Sequence, residues 1–104
     1  MNLRRGDIFW GDFGHKCRPY IVVSNDIRNS TSQSALVVPL TTKLQSKVYK
    51  THVPICFGSI SPSTCQVEDL IRIEDKGNKL YAVEHLPKEI MVHVDNALRE
   101  ALGL

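Results

Sequence analysis

The sequence predicts a mainly β protein, a small and strongly curved sheet or barrel with one α-helix packed across it. Three observations carry this. Short β-branched and aromatic runs recur along the 104 residues, each bounded by Gly, Pro, Asn or Asp. One of them, Tyr20 to Val23, is apolar at successive positions and so suits a strand covered on both faces. Helical periodicity appears at the end of the chain, where Ile90, Met91, Val94, Ala97, Leu98, Ala101 and Leu102 follow i, i+3, i+4 spacing.

In order, Gly6 to Phe13 reads as a first strand fenced by Gly and Asp, with Trp10 in the core or at an interface. Gly14-His15-Lys16-Cys17 has the length of a hairpin loop. The central strand follows. Pro19 is tolerated at a strand's first residue and Asn25-Asp26 is turn chemistry, so both ends of the run are marked and Arg18 sits at the rim. Residues 25–34 are polar and aperiodic, a loop with room for one helical turn. Ala35 to Thr41 is a third strand, in which Pro39 requires an edge position or a bulge. Thr42 to Lys50 is a basic loop carrying Lys43, Lys47 and Lys50, and it leads into a short strand at Thr51 to Ile55.

Gly58 to Ser63 is a turn, and Thr64 to Ile73 reads as one strand. That strand would put Cys65, Val67, Asp69 and Ile71 on one face and Gln66, Glu68, Leu70 and Arg72 on the other, neither cleanly apolar. Glu74 to Asn78 is a turn and Lys79 to Val83 a further strand. The helix takes Pro87 at its first position and stops at Gly103.

The length allows one domain, spanning 1–104. Apolar residues at 42% and charged ones at 23% are ordinary for a soluble protein, and no apolar run approaches the ~20 residues of a membrane span. The two arginines near the N-terminus have no apolar segment behind them, so a secretory signal is not expected and a cytoplasmic location is. Cys17, Cys56 and Cys65 are odd in number and lack CxxC spacing, which argues for reduced thiols rather than a disulfide framework or a zinc site. Charge is uneven: residues 1–52 hold 8 Lys/Arg against 3 Asp/Glu, and residues 53–104 hold 5 against 8. A basic face that attracts a polyanion is compatible with this.

No phosphate-cradling GxxxxGKT loop, GxSxG elbow or HExxH motif is present, and His85 and His93 are off metal-ligand spacing. No metal or cofactor is expected. What remains is a polar set at strand ends, Arg18, Ser24, Thr41, Thr42 and Asp69, with His15 and Lys16 in the adjoining loop. Such a set suits phosphoryl chemistry on RNA, which supplies its own nucleophile in the 2′-hydroxyl and needs positioning and charge stabilisation. An arginine fork brackets a phosphate in bidentate fashion, although surface ion pairing is the commoner use of an arginine.

These residues also carry a resemblance. Arg5 to Trp10, Arg18-Pro19 through Ser24-Asn25-Asp26, Val37 to Thr42, Thr51-His52-Val53 and Ile73 to Lys76, in that order and with the ending Ala97 to Leu104, resemble the MazF/PemK toxins of bacterial toxin–antitoxin modules. The resemblance implies an SH3-like (PemK/CcdB-type) barrel with a C-terminal helix, a homodimer, and a sequence-selective endoribonuclease that cleaves single-stranded RNA and is neutralised by a cognate antitoxin. By position, Arg18 and Thr41 match the family's catalytic pair. Asp69 falls where some members carry an acidic catalytic residue, with Val67 and Leu70 in place of their neighbouring Arg and Gln. The loop before Arg18 is shorter than in most members and lacks their Glu-Gln element. Arg18, a guanidinium that stays protonated at any working pH, suits an oxyanion clamp better than a general base, which leaves His15 or Asp69 for proton transfer. Lys16, Ser24, Thr42, Lys43 and Lys47 are the expected RNA contacts. A CcdB-like toxin that binds DNA gyrase without cleaving, or an inactive barrel serving as an interaction module, would use the same fold.

Overall fold

The computed structural model describes residues 1–14, 16–43 and 49–104, so the expectations placed on His15 and Lys47 lie outside the described residues. Among these residues seven strands form a curved half-barrel: β1 (Asp7–Gly11), β2 (Arg18–Val22), β3 (Ser34–Thr41), β4 (His52–Ile55), β5 (Ser63–Gln66), β6 (Ile71–Glu74) and β7 (Glu84–His85). Two helices join them, a short α1 (Asp26–Thr31) after β2 and α2 (Lys88–Leu102) at the end. The sheet path runs β4-β5-β3-β2-β1-β7, with β6 pairing β3 off that path, and every pairing is antiparallel.

Strand β2 is central and buried on both faces, as its unbroken apolar run requires. Ile21 joins Ile8, Val38 and Leu40 beneath Met91, Val94 and Ala97 of α2. Tyr20 and Val22 point the other way, into a second core with Leu3, Phe9, Val37 and Ile73. Trp10 belongs to neither core and is half exposed.

Several expectations are corrected. Pro39 is not on an edge strand: β3 has β2 on one side and, on the other, β6 against residues 34–37 and β5 against residues 40–41, with a break in register between them. Val23 N–H bonds Leu36 O, and ladder alternation from that bond turns the amide position of residue 39 away from β2, into the gap between β6 and β5. Proline there forfeits no ladder bond. The expected strand at 64–73 is two strands separated by a single 3₁₀ turn, Val67–Asp69. The turn explains the lack of a clean apolar face, because alternation restarts after it. Residues 79–83 form no strand, since the Asp75 carboxylate takes the Lys79 and Leu80 amides at 2.8 and 3.1 Å in a loop cap, and the ladder partner of β1 is β7 instead.

Helix α2 begins one residue after the expected point, with Pro87 as N-cap, and ends where Gly103 takes a left-handed conformation, φ 73°. A pair between Arg5 and Asp95 ties the N-terminal segment to it. The three cysteines are free thiols, Cys65 buried and the others exposed.

Candidate active site

The site forms where β2 starts and β3 ends. Tyr20 pairs with Pro39, and continuing that register by two residues places Arg18 across from Thr41. Residues 18, 20 and 22 share a face of β2, as do 37, 39 and 41 of β3, so Arg18 and Thr41 both lie on the face opposite α2. The Thr41 hydroxyl accepts a bond from Lys43 N–H at 3.2 Å and so caps the bend at the strand's end.

On this face a groove of about 480 Å³ is lined by Phe13, Arg18, Tyr20, Glu68, Asp69, Leu70 and Ile71. Its back is aromatic: Phe9 and Tyr20 stack at 5.9 Å, and Phe13 meets Tyr20 edge-on at 5.1 Å. Burial raises the Tyr20 phenol above its ordinary value, with Arg18 acting in the opposite direction. Among the described residues neither Arg18 nor Asp69 forms an ion pair, so a free guanidinium and a free carboxylate face one groove. The 3₁₀ turn brings Asp69 there; an uninterrupted strand would have continued past it.

Glu68 is the groove residue that sequence reasoning missed. Its carboxylate meets His52 Nε2 of β4 at 2.6 Å. Burial alone would raise this carboxyl, but hydrogen bonds from the Thr51 and His52 side chains hold it below the usual carboxylate range. The signal available in the sequence was a Glu-Asp pair in a stretch with no clean apolar face. Phe13 and Tyr20 were legible as strand aromatics but not as groove walls.

Of the other expected contacts, Lys16 is exposed in the β1–β2 loop, and Thr42 and Lys43 are exposed just beyond β3. Ser24 is not brought to the groove. It is buried at the far end of β2, roughly 20 Å away by strand rise, where its hydroxyl donates to Asn29 Oδ1 at 2.5 Å and accepts from Leu36 N–H at 3.0 Å. A larger cavity, about 600 Å³, lies between β4 and α2, with Lys50, His52, His93 and Glu100 among its lining. It contains neither Arg18 nor Asp69. Among the described residues no group of three or more His, Cys, Asp or Glu is placed to hold a metal ion, and no helix is long and apolar enough to cross a membrane.

Residues 4–102 match the profile of PemK-like, MazF-like toxins of type II toxin–antitoxin systems. Endoribonuclease EndoA of Bacillus subtilis (strain 168) is 33% identical over 114 aligned residues, covering 100% of this chain and 97% of that protein. In fold, the chain is similar to an endoribonuclease from a mycobacterial species solved in complex with its cognate antitoxin, at TM-score 0.86 and 23% identity, over 98% of this chain and 96% of that one. It is similar also to MazE-MazF from Deinococcus radiodurans, at TM-score 0.80 and 18% identity, over 98% and 96% of the two chains.

Proposed function

The chain belongs to the PemK-like, MazF-like toxin family, and from that premise we propose that it is a sequence-selective endoribonuclease that cleaves single-stranded RNA by attack of the substrate's own 2′-hydroxyl. The observation that carries the reading is the pair of opposite charges, Arg18 and Asp69, without an ion pair among the described residues and lining one aromatic-backed groove. Aromatic walls suit unstacked bases, and a guanidinium fork suits the phosphate between them.

Attack of the 2′-oxygen on phosphorus breaks the bond to the 5′-oxygen and leaves a 2′,3′-cyclic phosphate and a 5′-hydroxyl. Arg18 braces the non-bridging oxygens as negative charge builds on them, and Thr41 at the adjoining strand end orients the phosphate. The proton leaving the 2′-hydroxyl goes to Asp69 or His15, and one must reach the departing 5′-oxygen. Because Arg18 supplies the charge and the substrate the nucleophile, this chemistry requires no divalent ion. Lys16, Thr42 and Lys43 extend the contact with the backbone beyond the groove. The protein acts as a homodimer, and a cognate antitoxin neutralises it by covering the groove, a reading supported by relatives solved together with antitoxins.

The test is to incubate purified protein with cellular RNA in EDTA and map the new 5′ ends. Cuts at a short common motif, with cyclic-phosphate and 5′-hydroxyl termini, are expected. Loss of cleavage in EDTA with rescue by magnesium, or products bearing 5′-phosphates, would overturn the mechanism.

A further inference from the structure

A groove that binds phosphate gains nothing from an extra fixed negative charge, yet Glu68 is held there by a largely buried side chain. The His52 side chain is 10% exposed and places Nε2 2.6 Å from Glu68 Oε1. With Glu68 ionised, Nε2 carries the hydrogen, and Nδ1 is left as a buried atom with no partner among the described residues. Tyr49 meets the ring edge-on at 4.9 Å. The imidazole is thus committed to orienting one carboxylate at the lip of the Arg18 groove.

We propose that Glu68 reads a guanine base in that groove, accepting its N1–H and N2–H donors on the two carboxylate oxygens, with His52 as the positioning residue. This deepens the endoribonuclease reading and rests on it. Guanine fits because its Watson–Crick edge offers adjacent donors, matching an acceptor-only group. Cytosine and adenine place a ring-nitrogen acceptor beside their single amino donor, and uracil flanks its one N–H with two carbonyls, so each would set a lone pair against the carboxylate. Proton transfer is the competing role for Glu68. The hydrogen bonds that hold its carboxyl below the usual range make it a weaker base and a more persistent acceptor, whereas Asp69 beside it forms no ion pair among the described residues.

The experiment uses two pools of randomised single-stranded RNA, one made with guanosine and one with inosine, which lacks the N2 amino group. Cut sites in each pool are read by sequencing for the parent, Glu68→Gln and His52→Phe. The parent should prefer guanosine over inosine at one position of its motif by about 10- to 100-fold, the range for a good bidentate base contact. Glu68→Gln should lose that preference among the sites it still cuts. His52→Phe retains an aromatic ring but no donor, and should weaken the preference while cleavage continues. An unchanged preference in Glu68→Gln, no guanosine preference in the parent, or a folded Glu68→Gln that binds with parental preference but does not cut would each overturn the proposal. Should the parent cut neither pool, the endoribonuclease reading fails separately, and sequencing the RNA retained by the protein still reads the base preference.

Discussion

Arg18 differs from most arginines of this chain in what holds it. Arg5 pairs with Asp95, Arg28 donates to Ser34 at 2.8 and 3.0 Å, Arg72 meets Glu74 at 3.1 Å and Arg99 meets Asn96 at 2.9 Å. Among the described residues the Arg18 fork has no such partner, and it lines a groove. Lysine keeps the charge but cannot bracket two oxygens, so Arg18→Lys should retain the fold and lose on the order of 10²-fold or more in cleavage rate. Single-turnover assays on an RNA oligonucleotide with one site measure this, with Ser30→Ala on exposed α1 as the control. A rate within a few-fold of the parent would reduce Arg18 to an electrostatic anchor. Cysteine reactivity is a second residue-scale outcome. Burial first, and the Glu68 charge second, push the Cys65 thiol up to about 12, while Cys17 and Cys56 are exposed. Iodoacetamide should therefore add two groups to the native protein and a third only on unfolding, counted by mass spectrometry. Because the folded-state value is raised, the stability that Cys65 contributes is fully present below the ordinary thiol range and is lost as pH climbs toward about 12.

At the scale of elements, what the sequence made legible was whatever depends on side-chain pattern alone. Strands β1 to β4 and helix α2 follow from β-branched runs and one 3.6-residue stripe, and their observed ends lie within two residues of the expected ones. Two features escaped because their cause is a side-chain cap on nearby backbone amides or a turn without Gly or Pro. The 3₁₀ turn at Val67–Asp69 interrupts a run that no breaker residue marks, and the Asp75 carboxylate withdraws the Leu80 amide from any ladder. The candidate site suffered from the same blindness: Arg18 was read correctly as a strand-rim residue, but Glu68 enters the groove only because that turn exists. Ser24 lies away from the groove, its hydroxyl closing the β2–α1 corner. The central strand offers the energetic test. Ile21 is fully buried beneath α2, so Ile21→Ala should cost about 2–5 kcal/mol, whereas Ile27→Ala on exposed α1 should stay within about 0.5 kcal/mol, both by urea denaturation.

At the scale of the whole molecule, the uneven charge of the two sequence halves does not become two faces. The groove combines Arg18 from the basic half with Glu68 and Asp69 from the acidic half, so attraction of a polyanion must come from its surroundings rather than from a uniformly basic floor. A different asymmetry is more telling. The apolar stripe of α2 continues through Ala101 and Leu102, but the core stops at Ala97 and Leu98, leaving Leu102 58% and Leu104 86% exposed. The same helix borders the cavity beside β4, and β4 ends the sheet path. A second copy laid across α2 and β4 would cover this apolar end, as the proposed homodimer requires. Light scattering on the purified chain should then report about twice 11.7 kDa at micromolar concentration. Leu102→Glu, at a position more than half exposed in the monomer, should move the mass toward that of one chain without lowering the unfolding temperature of the monomer. A parent that runs as a clean monomer, or a Leu102→Glu variant that dimerises as the parent does, would place the partner-binding surface elsewhere.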